Sequence, residues 1–318
     1  MKARAADPST ALATTWPVLP ALQDWKETFT TVHMWSQVVG KIRLALAPPL
    51  NHSWGSVLYV TTRGLTTSPI PYGSRSFAID FDFVDHLLRI TTSEGKAQSC
   101  SLGPMSVADF FAKTMNALHE LNVEVHIFTR PVEVAEAIRF EKDHQHASYD
   151  AEPVQRFWRA LLQAQRVFTE FRARFIGKVS PVHFFWGGFD LAVTRFSGRT
   201  APKHPGGIPN CADWVMQEAY SHEVSSAGFW PGSGLGGREE AAFYSYTYPQ
   251  PAGFSDHAVL PKAAFYHGSF GEFVLPYEAV RTAENPDQTL LAFLQSTYEA
   301  AAVLSAWDRA SLERSVRP

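Results

Sequence analysis

Apolar side chains recur every three or four residues in three segments of the chain, which is the spacing of one buried face of a helix. Helices are therefore predicted over residues 22–39, 106–119 and 153–176. Glycine favours the position just after a helix. Gly40 and Gly177 follow the first and third segments and are expected to end those helices.

Shorter runs with an alternating or continuous apolar pattern predict strands. In the first part of the chain, these runs cover residues 41–46, 56–63, 75–83, 86–92 and 96–102. Turns rich in proline and glycine separate them, which favours an antiparallel meander. Further along, strands are predicted over 123–128, 189–196 and 242–248, and a short helix over 131–140. Strands and separate helices together predict the α+β class.

Two stretches of the chain resemble each other in order, residue type and spacing, which indicates an internal duplication. Both contain a Gly-Lys pair after a predicted helix, and the matches that follow pair His52 with His183, Trp54 with Trp186 and Arg63 with Arg195. The alternative interpretation is that two unrelated connections chose the same residue types for turns and caps.

The duplication predicts the organisation of the chain. Residues 1–20 would form a tail, and residues 21–150 and 151–318 would form two similar halves, each an antiparallel sheet with packing helices, related by a pseudo-two-fold axis. The second half would carry an insertion near 203–240. Concave sites form preferentially where such units meet, so a ligand cleft is expected between the halves.

Composition restricts the class of protein. Of 318 residues, 45% are hydrophobic, 13% aromatic and 19% charged, which excludes disordered, collagen-like and coiled-coil chains. The net charge of −3 supplies no excess positive field, so no nucleic-acid partner is expected. No uninterrupted apolar stretch is long enough for a transmembrane helix, and no membrane partner is expected.

The cysteines and the first residues bear on the compartment. Cys100 and Cys211 have neither metal-ligand spacing nor the pattern of a disulfide framework. Residues 1–15 lack the continuous apolar core of a signal peptide. A cytoplasmic location is therefore expected.

Two motifs have plainer explanations than the chemistry they suggest. Asp143, His144 and His146 offer metal ligands, but they stand in a polar connection ahead of a helix, where a loop with a capping role is expected. Residues 232–237 spell G-x-G-x-x-G without the preceding strand and following helix that a dinucleotide site needs. No metal is predicted, and the cofactor is left open.

Several strings in the chain resemble a family of uncharacterised bacterial proteins of about 300 residues. They include residues 40–44, 63–67, 146–150, 180–187 and 221–223, and the resemblance covers nearly the whole chain. It implies membership of that family and carries no activity that could be transferred.

The candidate site residues are polar or aromatic side chains at matched positions, on an apolar strand or in the insertion. Acid–base candidates are His183, His222, Glu223 and Asp190; ligand-binding candidates are Arg63, Arg195, Trp54, Trp186, Tyr220, Trp230 and His52. The arginines would clamp an anion, and the tryptophans would stack on a ring. As a strand, His222 and Glu223 would face opposite ways.

Two functions from different classes follow. The first is binding of a small anionic or aromatic metabolite in the cleft, with histidine acid–base catalysis. The second is a non-catalytic binding or assembly protein with an exposed aromatic surface. Whether the protein is an enzyme is left open.

Overall fold

A computed structural model describes residues 16–232 and 239–314. Over these residues the chain forms two six-stranded antiparallel sheets and seven α-helices. The α+β class predicted from the sequence is confirmed.

The first sheet is built from residues before position 102. Its strands are β1 (Tyr59–Thr61), β2 (Gly64–Thr66), β3 (Ile70–Tyr72), β4 (Arg75–Asp82), β5 (Leu87–Thr92) and β6 (Ala97–Ser101). They run in the order β1-β2-β4-β5-β6, and β3 also pairs with β4. Of the meander predicted from residue 41 to residue 102, the part from residue 75 onward is confirmed, because β4, β5 and β6 pair in sequence order.

The second sheet is built from residues after position 182. Its strands are β7 (His183–Phe185), β8 (Asp190–Thr200), β9 (His222–Trp230), β10 (Ala242–Tyr248), β11 (Phe265–His267) and β12 (Glu272–Pro276). Their order is β11-β12-β10-β9-β8-β7. β9 lies in the middle of the sheet, although residues 222–230 fall inside the predicted insertion.

The helices are α1 (Leu22–Leu46), α2 (Val107–Glu120), α3 (Ala151–Ala173), α4 (Asp213–Ala219), α5 (Tyr277–Arg281), α6 (Pro286–Leu304) and α7 (Arg309–Leu312). α2 and α3 start where side-chain oxygens cap free backbone N–H groups: Ser106 accepts from the Asp109 N–H, and Asp150 accepts from the Glu152 N–H.

A single hydrophobic core joins the predicted halves. α1 packs its aromatic side chains against the second half, with the rings of Phe29 and Phe189 5.1 Å apart and those of Trp25 and Phe157 5.8 Å apart. The two sheets also meet at their edges, where Leu58 and Phe184 exchange backbone hydrogen bonds of 2.8 and 2.9 Å.

Residues just before α1 belong to this core and not to a tail. Trp16 is 2% exposed and packs against Phe243 and Tyr277. Its indole N–H donates to the Asp287 carboxylate over 3.0 Å. The predicted tail therefore ends before Trp16.

Gly40 does not end the first helix, which was predicted to stop there. α1 continues through the predicted strand 41–46 to Leu46. A Cβ on Gly40 would lie 2.3 Å from the Trp186 indole, so the glycine is needed for close packing and not for a cap.

Two further local predictions were wrong. Residues 123–128 alternate buried and exposed, as a strand would, but they pair with no strand of the described residues. Residues 131–140 form turns and no helix, apart from a 3-10 turn that starts at Phe140.

The internal duplication stays a prediction. Gly40-Lys41 lies inside α1, whereas Gly177-Lys178 follows the end of α3. His52 lies in a 3-10 turn and His183 in β7. The matched residues thus occupy different local structures.

Candidate functional site

The second sheet has two unlike faces. One packs against α3 and α6 through apolar residues such as Leu191, Val193 and Phe229. The opposite face, called here the outer face, carries the alternate residues of each strand. The strand register aligns Ala192, Gly228 and Tyr244 in one row, and Thr194, Ser226 and Tyr246 in the next.

A glycine in the middle of β9 lets a tyrosine cross the outer face. A Cβ on Gly228 would lie 2.3 Å from the Tyr244 hydroxyl, so only glycine leaves room for that ring. The Tyr244 hydroxyl reaches over β9 and donates a hydrogen bond to the Asp190 carboxylate on β8. Burial, followed by the Asp190 charge, raises the pKa of Tyr244 well above its usual value.

A second carboxyl group faces Asp190 from the first half of the chain. A Cβ on Gly188 would lie 2.8 Å from an Asp190 oxygen and 3.5 Å from a Glu133 oxygen. A Cβ on Gly187 would collide with Glu133 at 2.1 Å. The two glycines therefore leave the space in which the carboxyl groups of Glu133 and Asp190 approach each other.

The Glu133 residue is exposed, but protein atoms surround its carboxyl group. Loss of hydration and then the Asp190 charge raise the pKa of this carboxyl group to about 7. Glu133 is thus held near half-ionisation at neutral pH.

The backbone on both sides of this carboxyl pair is in the left-handed region. Glu133 has φ of 59° and Phe189 has φ of 57°. Such conformations cost about 1–3 kcal/mol each and persist where the surrounding structure holds them. Here the Glu133 N–H donates to the Pro209 carbonyl over 2.8 Å.

Tyrosines and a histidine complete the wall of the recess. The hydroxyl groups of Tyr220 and Tyr246 are 2.7 Å apart, and the ring of His204 stacks on Tyr220 at 4.8 Å. Burial raises the pKa of both tyrosines, so both are neutral donors at neutral pH. We call Glu133, Asp190, Tyr220, Tyr244 and Tyr246 the carboxyl–tyrosine recess.

The outer face continues into a cavity at the far side of Tyr244. The ring of Trp230 stacks on that of Tyr244 at 5.0 Å. Trp230 also lines a cavity of about 260 Å³, together with Glu239, Glu240, Ala241, Ala242, Phe265, His267, Phe270, Val274 and Pro276.

Four predicted residues form a second group, at the β7 side of the outer face. The rings of His222 and His52 are 5.9 Å apart, those of His52 and Trp54 5.3 Å, and those of Trp54 and His183 5.7 Å. His183 is 1% exposed, and burial followed by the charges of Arg43 and Arg172 lowers its pKa to about 3. It is a neutral core histidine.

His222 and Glu223 point to opposite sides of β9, as predicted. His222 lies beside His52 on the outer face. Glu223 forms an ion pair of 2.7 Å with Arg199 and accepts a hydrogen bond from Ser197. These two residues do not act on the same ligand.

The remaining predicted residues lie away from the recess. Arg63 forms ion pairs of 2.7 Å with Asp82 and 2.8 Å with Asp85 at the first sheet. Arg195 is 1% exposed, and its guanidinium lies 3.5 Å from the centroid of the Phe171 ring. Trp186 packs on α1 and donates to the Ser56 carbonyl over 2.7 Å.

The loop at Asp143 is not the solvated connection expected, because Asp143 is 1% exposed and contacts the start of α2. The Asp143 carboxylate accepts hydrogen bonds from the His146 ring at 2.7 Å and from the His146 N–H at 3.1 Å. The Asp143 carbonyl accepts from the Ala108 N–H at the start of α2. Within the described ranges, no group of three or more His, Cys, Asp or Glu side chains could hold a metal ion.

The glycine-rich motif at 232–237 lies outside the described residues apart from Gly232. The strand predicted after it is confirmed as β10.

No helix in the described part of the chain is long and apolar enough to cross a membrane.

Sequence reasoning found three members of the outer-face site and missed three. Asp190, Tyr220 and Trp230 were predicted; Glu133, Tyr244 and Tyr246 were not. Gly187-Gly188 and Gly228 were the available signals, since a glycine within a strand indicates close approach of another group. Glu133 itself carries no sequence signal.

The model of a family described as a family of unknown function, DUF5996, matches residues 16–314. The resemblance inferred from the sequence is thereby confirmed at the level of an uncharacterised family. No curated protein and no solved structure matches the chain.

Proposed function

We propose a function for this chain, which belongs to the DUF5996 family of unknown function: it binds a small neutral or cationic molecule in the carboxyl–tyrosine recess and acts on it by acid–base chemistry. The observation that carries the proposal is the Glu133–Asp190 pair, two neighbouring carboxyl groups with the pKa of Glu133 raised to about 7.

The position of the recess agrees with the cleft expected between the halves. Glu133 comes from the first half and Asp190 from the second. Tyr220 directly follows α4, in the segment between β8 and β9. The ligand therefore meets side chains from three separate parts of the chain, as is common in small-molecule sites.

The charge of the recess favours a neutral or cationic ligand over the anionic one expected first. Two carboxyl groups repel an anion, and the predicted anion clamps lie elsewhere, with Arg63 paired to Asp82 and Arg195 enclosed by aromatic rings. The tyrosine hydroxyl groups favour a ligand with hydroxyl or amino groups, and the Trp230–Tyr244 stack favours a ring.

The two carboxyl groups of the pair have different roles. Tyr244 donates to Asp190 and stabilises its ionised form. The Asp190 charge then makes ionisation of Glu133 harder. Glu133 is the group that takes or gives a proton near neutral pH, because loss of hydration and then the Asp190 charge raise its pKa.

A ligand screen tests the proposal. Mixtures of sugars, nucleosides and amines are added to the protein, and binding is detected by ligand-observed NMR. A ligand bound by the wild-type protein should lose about tenfold or more in affinity with Glu133→Gln or Asp190→Asn, since hydrogen bonds to charged groups contribute about 1.5–3 kcal/mol.

Glu136→Gln is the matched control, because Glu136 is an exposed carboxyl on the same segment. It should bind the ligand as the wild-type protein does. Ligands that bind Glu133→Gln and Asp190→Asn with wild-type affinity would overturn the assignment of the recess.

The alternative function, an assembly protein with an exposed aromatic surface, depended on Trp230. Trp230 was expected on an exposed aromatic surface, but it is 4% exposed and stacked on Tyr244. We also propose a cytoplasmic setting, which is supported by the two cysteines being free.

A further inference from the structure

A lysine lies beside the second group of rings and has no role in the recess. Lys178 follows α3, and its ammonium nitrogen is 2.6 Å from Nε2 of His52. The same nitrogen lies 5.4 Å from the centroid of the Trp54 ring and 4.9 Å from that of Phe196. The amine is thus held between two aromatic rings and one imidazole.

The hydrogen bond made by Nδ1 of His52 fixes which ring nitrogen carries the proton. Nδ1 of His52 is 3.0 Å from the Ala219 carbonyl oxygen, which only accepts hydrogen bonds. Nδ1 therefore carries the proton, and Nε2 presents its lone pair to Lys178. His52 is 4% exposed, and burial lowers its pKa, so it stays neutral and able to accept a proton.

His52 is kept in this orientation at a conformational cost. It has φ of 58°, and Ser53 after it has φ of 60°. Two successive residues other than glycine in the left-handed region are uncommon, and strain of this kind is concentrated at functional sites.

The amine is also open to reagents. Lys178 is an exposed residue, unlike His52 behind it. Partial loss of hydration among the rings lowers the pKa of the Lys178 amine. A lysine becomes a nucleophile when it is desolvated and has an acceptor for its proton, and both conditions hold here.

We propose that Lys178 is a nucleophilic amine that forms an imine with a small aldehyde or ketone, with His52 accepting its proton. Nε2 of His52 takes a proton from the Lys178 ammonium, and the neutral nitrogen attacks the carbonyl carbon. A C–N bond forms as the carbonyl oxygen takes up a proton. Loss of water then leaves the C=N bond, so amine and carbonyl give imine and water.

The groups that face the amine make its surroundings basic and aromatic. His52 comes from the 3-10 turn at 51–53, and Trp54 and Phe196 form the walls. The ring of His222, at the start of β9, lies 5.9 Å from that of His52.

Labelling with pyridoxal and cyanoborohydride, followed by peptide mass spectrometry, tests this proposal. Loss of hydration lowers the pKa of the Lys178 amine, so more of it is neutral at pH 7, and Lys178 should react several-fold faster than Lys142 or Lys262. Those two lysines are also exposed and serve as internal controls. The advantage should shrink as the pH rises toward the ordinary pKa of a lysine amine.

His52→Asn separates the role of the imidazole from that of the rings. Asparagine tolerates positive φ and can still donate to the Ala219 carbonyl, but it lacks Nε2. In this variant, the labelling rate of Lys178 should fall close to the rates of Lys142 and Lys262. If it does not fold, the wild-type comparison among the three lysines decides alone.

Equal labelling of Lys178, Lys142 and Lys262 at pH 7 would overturn the proposal. The inference is independent of the recess. Glu133→Gln should leave the labelling rate of Lys178 unchanged, even if the acid–base function of the recess proves correct.

Discussion

At the scale of single residues, the carboxyl pair is the feature with the clearest energetic consequence. Two ionised carboxyl groups in one recess repel each other, so one of them holds its proton to a higher pH. Asp190 accepts a hydrogen bond from Tyr244, which favours its ionised form. Glu133 carries the raised pKa.

Tyr244→Phe should therefore destabilise the protein by about 1.5–3 kcal/mol, the range for a hydrogen bond to a charged group. The ring and its stacking on Trp230 are kept, so the loss reports the hydroxyl alone. Chemical denaturation measures it. Tyr266→Phe is the control, because its hydroxyl donates to Gln250 at an exposed position, and a loss as large as that of Tyr244→Phe would contradict the argument.

Glu133→Gln should change how stability depends on pH. The folded-state pKa of about 7 exceeds the ordinary value of 4.5, so ionisation of Glu133 opposes folding as pH rises from about 4.5 through 7. The variant lacks this ionisation. Its Tm relative to the wild-type protein should rise from pH 5 to pH 8, whereas a constant difference would contradict the raised pKa.

At the scale of elements, predictions succeeded where local signals agree with tertiary contacts. α2 and α3 begin at the side-chain caps Ser106 and Asp150, and β4 to β6 are bounded by tight turns. Failures came from contacts distant in sequence. Gly40 has the local signal of a helix end, but its role is set by Trp186, which no local pattern reveals.

The candidate site was also predicted only in part, because it depends on contacts between residues distant in sequence. Asp190 was recognised because a carboxylate on an apolar strand needs a partner. Tyr244 is one such partner, and it reaches Asp190 from β10 across β9. Glu133 lies in a segment of turns that was predicted as a short helix, and its backbone N–H donates to the Pro209 carbonyl.

Gly40→Ala tests how tightly α1 packs on the second half. Alanine is the better helix former by about 1 kcal/mol, but its Cβ would collide with Trp186 at 2.3 Å. Overpacking of this kind costs about 1–3 kcal/mol, so we expect a net loss of stability in thermal or chemical denaturation. Gly268→Ala is the control because a Cβ there meets nothing within 4 Å. A stabilised Gly40→Ala would contradict the packing role.

At the scale of the whole molecule, the shared core makes the two predicted halves one folding unit. Trp25 and Phe29 pack on Phe157 and Phe189, and Trp16 packs on Phe243. Neither half can keep these side chains buried without the other. Calorimetry should show one unfolding transition with equal calorimetric and van't Hoff enthalpies. Two separate transitions would show that the halves are independent domains.

The joining of the halves also creates the recess, because it brings Glu133 to Asp190. The most direct test of the account is a ¹³C NMR titration of the glutamate carboxyl groups, with Glu133→Gln used to assign the Glu133 signal. We predict that Glu133 has a pKa of about 7 and that this pKa falls when Asp190→Asn removes the neighbouring charge. A Glu133 signal that titrates between pH 4 and 5, unaffected by Asp190→Asn, would contradict it.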